Sequence, residues 1–431
     1  MKILLMSGRV RRPGQAGSIL VISIIFCALI CSILVAYLSM VKTQHKFTYR
    51  AQTWNTVIPL CEAGVEEAMA HLNHFNTMSN FAINGWVLNN GFYRKERSLS
   101  GGTIRMLIDQ GSPPVITVTG YLRAPVQSNL LVRAVRVKTK INLRFPYAML
   151  SKGAVTLSSA GAYVDSFDSS DPAYSTDGHY DPTKRAADAT IATTAKTAGV
   201  VDLGNNDLYG KIGTGPGGTV NIGNGTVGDV AWVTDPANDG EVQPGHITDD
   251  VNLYIPDVVM PSPFSPFMPI GGVVGTTVYT YVLGDGDWIL PTISGNSVKI
   301  LVTGKARLYV GGPTTIGNAG SITVNTNASL EFFANGNIDI KGVVNNPGLA
   351  QNLSFLGMAN CLLVGITAGA DFACSVYAPR ADVTVTGNSA GAGAIVGKTI
   401  KLTGGMSWHY DKALEGDPRE GRFVAASWTE L

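Results

Sequence analysis

The chain has 431 residues, 50 of them glycine, with 15% charged residues and a formal net charge of +1. That balance excludes a basic nucleic-acid-binding protein, and the many Val, Ile and Leu among the glycines exclude disorder. The near-neutral total conceals a gradient: residues 1–40 carry 4 Lys/Arg and no acid, residues 41–150 carry 13 against 5, and residues 151–431 carry 15 against 26.

Residues 18–40, SILVISIIFCALICSILVAYLSM, contain no Asp, Glu, Lys, Arg or His. At about 1.5 Å per residue a helix of this length crosses a hydrocarbon core of about 30 Å while satisfying its own backbone. Lys2, Arg9, Arg11 and Arg12 precede it, so the positive-inside bias keeps the N-terminus cytoplasmic and sends the body across the membrane. The run is longer than the apolar core of a cleavable secretory signal, and no small-x-small site follows it closely. Cys27 and Cys31 lie one helical turn apart within it and read as apolar residues rather than a redox pair.

Beyond the span, Trp54, Val57, Ile58, Cys61, Val65, Ala68, Met69, Leu72 and Phe75 recur at steps of three and four, which predicts that the helix continues with an amphipathic half. Pro59 predicts a kink or a short break. Glu62, Glu66 and Glu67 fall off the apolar stripe, on a solvated face.

From Gly91 to Phe145 the period becomes two. Residues 103–109, 115–121 and 130–143 alternate apolar with polar, with turns expected at 111–114 and 124–129. A small antiparallel sheet packed on the helix follows, with Arg133, Arg136, Lys138 and Lys140 on a solvated face near the membrane, where anionic headgroups would be the natural partner.

Past Pro146 short apolar triplets alternate with Gly, Asn, Ser and Asp, as in Val155-Thr156-Leu157, Leu308-Tyr309-Val310, Ile338-Asp339-Ile340 and Ile400-Lys401-Leu402. Between residues 298 and 340 the triplets start about 8 to 14 residues apart, which predicts an irregular β-helix of stacked parallel strands. A sandwich would show longer strands and clear hairpins. The predicted fold class is therefore mainly β: a long N-terminal helix, a small antiparallel sheet, then a β-solenoid. Expected boundaries are a basic leader at 1–17, helix 18–76, sheet domain 77–147, solenoid 148–414 and a tail 415–431. Residues 165–190 read as an ordered polar loop. Residues 256–270, with five prolines among Phe264, Phe267 and Met268, read as a strap on apolar surface, or else as a hinge between domains.

Chemistry is sparse. Asp165, Asp168, Asp171, Asp177, His179 and Asp181 form the densest acidic cluster. Asp165, Asp168 and Asp171 are candidate calcium ligands, as β-helices that cleave acidic polysaccharides use calcium with a Lys or Arg base. Their spacing matches no calcium loop, and turns favour Asp for other reasons. GxSxG and HExxH are absent, and the glycine-rich pieces at 213–219 and 223–229 lack a phosphate-loop lysine. His409, within Ser407-Trp408-His409-Tyr410-Asp411, fits a segment capping the last coil. Cys361 and Cys374 could pair in an oxidising compartment or stay buried as free thiols.

Two stretches resemble known families. Arg12 to Met40, with Gly17 followed by Ser18-Ile19-Leu20-Val21-Ile22, together with Cys61-Glu62-Ala63-Gly64-Val65-Glu66-Glu67-Ala68, is similar to the N-termini of type IV pilin-like proteins, in particular PilX-type minor pilins. The resemblance implies a single-pass bacterial inner-membrane protein, cleavage between Gly17 and Ser18 by prepilin peptidase, and other pilin-like subunits as partners. Ile22 stands where classical pilins have Glu. Val376-Tyr377-Ala378-Pro379-Arg380-Ala381-Asp382-Val383, Gly393-Ala394-Ile395-Val396-Gly397-Lys398 and Trp408-His409-Tyr410-Asp411-Lys412-Ala413-Leu414 look like the ending of bacterial envelope proteins with β-helical, bactofilin-like polymer-forming bodies behind pilin-like N-termini. That resemblance carries no catalytic residues and no cofactor. The expected role is structural, in filament assembly or adhesion to surface polysaccharide. The rivals are a membrane-anchored polysaccharide lyase or hydrolase and a self-polymerising scaffold.

Overall fold

The structure is a computed structural model that describes residues 16–75, 81–82, 84–111, 113–125, 130–142, 144–158, 160–345, 348–416 and 422–431. Residues 1–15 of the expected leader and most of the expected turn at 124–129 lie outside the described residues. The chain divides into two compact units: residues 1–141 with 423–431, and residues 142–422.

The first unit is built on α1 (Ala16–Phe75), one unbroken helix of 60 residues that takes in Gly17, Ser18 and Pro59. The break expected at Pro59 does not occur: a proline costs a helix one backbone bond, and here the packing of the surrounding turns outweighs that loss. The helix changes character along its length. Side chains from Ile19 to Met40 are exposed, whereas Val57, Leu60, Cys61, Val65, Ala68 and Leu72 are buried. They pack on an antiparallel sheet of β1 (Val87–Asn89), β2 (Phe92–Leu99), β3 (Gly102–Asp109), β4 (Val115–Arg123) and β5 (Leu130–Asn142). Strict alternation gives the sheet two faces: Ile104, Met106, Ile108, Ile116, Val118, Val135 and Val137 meet the helix. Close approach needs small residues, because a Cβ on Gly120 would lie 2.9 Å from Val57 Cγ1.

A sixth strand, Arg422–Glu430, lies beside β5. The segment expected to be a tail is therefore part of the first sheet, where Asn73 exchanges hydrogen bonds with the Phe423 backbone and Glu430 pairs with Arg133. Arg133 also lies over the Trp54 ring, with its guanidinium carbon 4.9 Å from the centroid. It thus faces the helix, while Arg136, Lys138 and Lys140 are exposed as expected.

The second unit is a β-solenoid whose order in space differs from its order in sequence. From the strand Gly286–Leu290 each coil pairs in parallel with the next, through Lys305–Val310, Ser329–Ala334, Leu353–Gly357, Phe372–Gly387 and Ala390–Thr403. The stack then continues onto the first coil of the unit, β6 (Met149–Ser151), β7 (Val155–Ser158) and β8 (Ala160–Phe167). From there it runs through Ala189–Thr193 and Asn205–Gly213 to Val220–Asn221 and Ile247–Thr248. The chain enters mid-stack, builds to one end, crosses to the other and returns coil by coil. Registered partners lie 20 residues apart between Gly286 and Ala306, 24 between Ala306 and Leu330, 23 between Leu330 and Leu353, and 17 between Gly391 and Trp408. The spacing of about 8 to 14 residues in the sequence is thus the step between strands within a coil, and variable coil length hides any fixed repeat.

The crossing is made by residues 250–270. One outward column of the stack is apolar (Tyr309, Phe333, Leu356, Tyr377, Val396 and Leu150 in successive coils), and the crossing segment lies along it. Ile255 is buried, Tyr377 Oη donates to Pro256 O at 2.7 Å, Asp257 pairs with Arg380, and Arg307 donates to Pro263 O at 3.1 Å. The segment is a strap. Its expected anchors hold only in part: Phe264 meets the Tyr309 ring edge-on, but Phe267 and Met268 face solvent.

Candidate functional site

A buried set of interacting ionisable groups lies where the last coil meets the first. The strand Ser407–Asp411 pairs in parallel with β8, with His409 opposite Asp165 and Trp408 opposite Val164. Alternation turns Trp408 and Val164 into the core and His409, Asp165 and Tyr163 outward. His409 was expected in a cap over the last coil. It sits instead inside the stack, because the first coil covers that strand.

Loop 168–188 crosses this outward row and buries it. Asp165 and His409 have almost no exposed surface. His409 Nδ1 donates to Asp165 Oδ1 at 2.6 Å, and Tyr180 Oη donates to Asp165 Oδ2 at 2.5 Å. The Tyr180 ring stacks on the imidazole, 3.5 Å between centroids and 11° from parallel. Arg185 Nε stands 3.7 Å from Asp165 Oδ2, and its guanidinium lies between the rings of Tyr163 and Tyr209, 4.9 and 4.8 Å from their centroids. Burial, and then the neighbouring Asp165 charge, push the Tyr180 hydroxyl far above its ordinary range, so it stays protonated and keeps its proton for Asp165. Burial works against the Arg185 charge, but the surrounding oxygens outweigh it and hold the guanidinium protonated.

A second buried acid lies two residues beyond His409. Asp411 Oδ1 accepts from Ser169 N at 3.0 Å and Ala413 N at 3.1 Å, while its Oδ2 is buried without a partner. Burial raises its carboxyl above the usual range. Lys412 closes the loop's far end on Asp188 at 2.7 Å.

The candidate calcium ligands do not converge. Asp165 belongs to the clasp just described. Asp168 Oδ1 accepts from Ser170 N at 2.9 Å and Asp171 Oδ1 from Ala173 N at 2.8 Å, each ordering its own turn. Asp181 caps the short helical turn Pro182–Lys184, and the Thr183 hydroxyl, then Thr176, hold its carboxyl down at about 2. Among the described residues no group of three or more His, Cys, Asp or Glu is arranged to hold a metal ion. Cys361 and Cys374 are both buried free thiols, pushed by burial up to about 11 and about 12.

What the cluster does chemically is fix charge: both Asp165 oxygens are engaged, and the imidazole face is closed by Tyr180. The sequence singles out Asp165 and His409 separately, but 244 residues part them and no local signal joins them.

Residues 279–417, which hold most of the returning coils and the clasp strand, match a family model described as a domain of unknown function, DUF7305. No curated protein matches the chain. Among solved structures, the competence-associated pilin ComZ from Thermus thermophilus aligns at 12% identity and a TM-score of 0.21, covering 88% of this chain and 97% of that one. The DUF3494 domain of a Shewanella frigidimarina ice-binding protein aligns at 12% identity and a TM-score of 0.25, covering 62% and 94%. At those TM-scores neither alignment carries an argument about this chain.

Proposed function

We propose that this protein is a structural component of the bacterial envelope, a type IV pilin-like subunit or accessory protein that sits by α1 in the inner membrane or in a filament and displays its solenoid outside. The observation that carries the reading is the two-part helix: an exposed, uncharged first half runs without a break into a second half that packs on a sheet. A water-soluble helix would not expose Ile19 to Met40; a bilayer or the apolar core of a helical filament would cover them. Prepilin peptidase and neighbouring pilin-like subunits are the partners this implies. The solenoid would serve adhesion, for which it offers a solvent-facing row of Thr315, Asp339, Gly365, Thr384, Lys401 and Thr156 on successive coils, whose polar members are suited to hydrogen-bonding surface polysaccharide.

A self-polymerising scaffold fits less well. Stacking end to end needs a free edge, and at one end the strap occupies it: Phe267 N donates to Asp287 O, and Ile289 N to Phe267 O. A lyase or hydrolase would need its acids to converge on an open face, whereas Asp165 is buried in the clasp.

Intact-mass measurement of the protein from its native cells tests the reading. A mature chain beginning at Ser18 supports pilin-type processing; a chain retaining the leader leaves only a membrane anchor.

A further inference from the structure

The sheet of the first unit has two outer strands, β1 and Arg422–Glu430. Every neighbouring pair from β1 to β5 is antiparallel. The sixth strand is antiparallel to β5 as well: Glu430 pairs with Arg133 beside Trp54, whereas Phe423 bonds Asn73 at the other end of the packed part of α1. Six strands are an even number, so the two outer ones run in opposite directions. Exposed edges are ordinarily blunted by Lys, Pro or a bulge. Here β1 is blunted only by its length of three residues, and residues 423–429 contain no charge, proline or glycine.

The two edges match in row, face and hydrogen-bonding phase. Across the sheet, Leu88, Tyr93, Ile108, Ile116 and Val137 are successive partners, and the bond from Leu431 N to Ala134 O sets Val137 against Trp428. Leu88 and Trp428 thus share one row, on the face that meets α1, and are 52% and 45% exposed. Asn90 and Gly91, both at positive φ, form a two-residue turn of the type closed by a hydrogen bond between its flanking residues, Asn89 and Phe92. Antiparallel ladders alternate, so the Leu88 N–H and C=O point away from β2. By the same alternation, counted from the Leu431 bond, the Trp428 N–H and C=O point away from β5.

We propose that these edges join copies of the chain head to tail, the strand Arg422–Glu430 of one copy pairing antiparallel with β1 of the next, Trp428 opposite Leu88. The proposal rests on the reading that α1 anchors all copies in one bilayer or filament, so that all point the same way. That common direction selects the pairing. Two like edges joined antiparallel would turn one α1 upside down. Two Arg422–Glu430 edges joined in parallel would bring Glu430 beside Glu430, a like-charge neighbour in the less stable kind of ladder. Unlike edges run oppositely, so they pair antiparallel while the helices stay parallel, and each outward N–H meets an outward C=O. Such a contact is heterologous: it repeats from copy to copy and extends the sheet sideways instead of closing a dimer.

The test uses the full chain with C27S and C31S, which leaves only buried cysteines. L88C and W428C are placed on separate chains, co-expressed, and oxidised with copper phenanthroline in membranes of the expressing cells. An antiparallel hydrogen-bonded pair sets its Cα atoms about 5.5 Å apart, within disulfide reach. The mixture should give a cross-linked dimer, and the L88C/W428C chain a ladder of larger species. A426K on the W428C chain, a lysine on an exposed edge, should cut the yield about five-fold or more and leave the melting temperature unchanged. Inserted chains that do not cross-link overturn the proposal, as does a yield that A426K leaves unchanged. So does L88C or W428C alone dimerising as strongly as the mixture, which would mean like edges or random collision. Carbonate extraction scores insertion separately: chains that it strips from the membrane overturn the anchor reading and the pairing that rests on it, whereas inserted chains without cross-links overturn the pairing alone.

Discussion

Asp165 and Asp411 lie on neighbouring, paired strands and are buried in opposite ways. Asp165 is engaged by an imidazole, a phenol and a guanidinium, so D165A leaves the buried His409 and the half-buried Arg185 without their carboxylate. It should cost roughly 3–5 kcal/mol in denaturant melts, against about 1–3 kcal/mol for Y180F, which removes only one charge-assisted hydrogen bond. Equal effects would mean that the charge cluster contributes nothing beyond that bond. Asp411 is a buried acid with one oxygen unpartnered. An unfolded aspartate titrates near about 3.9, and burial raises the folded value. The native state therefore takes up this proton first as pH falls, and the ionised group costs stability above its folded pKa, a cost that fades toward about pH 4. D411N keeps an oxygen for Ser169 N and Ala413 N, so its Tm should match or exceed the wild type at pH 8, with the advantage gone by pH 4. A lower Tm at both pH values would mean that the charge itself is needed. Neither arrangement is legible in sequence. Aspartates in a Ser- and Pro-rich stretch read as turn formers, which is right for Asp168, Asp171 and Asp181 and wrong for Asp165, whose burial depends on a strand 244 residues away.

The strap shows how prolines and apolar side chains can be read correctly in outline and incorrectly in detail. Its run of prolines signals an extended segment on a surface, but the aromatic residues expected to hold it are mostly outside the contact. Ile255 and backbone hydrogen bonds hold it instead. I255A should therefore lose about 2–5 kcal/mol, whereas D257A, which breaks an exposed pair with Arg380, should stay within about 1 kcal/mol. If chemical denaturation ranks them the other way, ion pairing holds the strap. The apolar triplets predict the rungs well, because a strand facing a core on one side must alternate. The edge strand Arg422–Glu430 escapes notice because only Phe423, Val424 and Trp428 mark it, and an edge strand can remain polar on its solvent side.

The order of the coils is what no stretch of sequence reveals, since any rung can stack on any other of matching width. Here the stack closes where residues 390–411 meet residues 149–167. A contiguous solenoid tolerates removal of terminal coils, each of which touches only its neighbours. This one should not: deleting residues 389–416 uncovers both halves at once, so protease resistance should be lost across residues 149–248, far from the deletion in sequence. Retention of a resistant fragment there would show that the early coils stand alone. Closure mid-stack also has a mechanical side. Both strands that leave the solenoid unit, at residues 142 and 422, continue into neighbouring positions of one sheet, so tension applied through that sheet enters at the middle of the stack. Neither free end of the solenoid is a chain end. Under load there is no terminal coil to peel, and the rungs at the closure must shear together, which makes the clasp of Asp165, His409 and Tyr180 the fastening against unspooling.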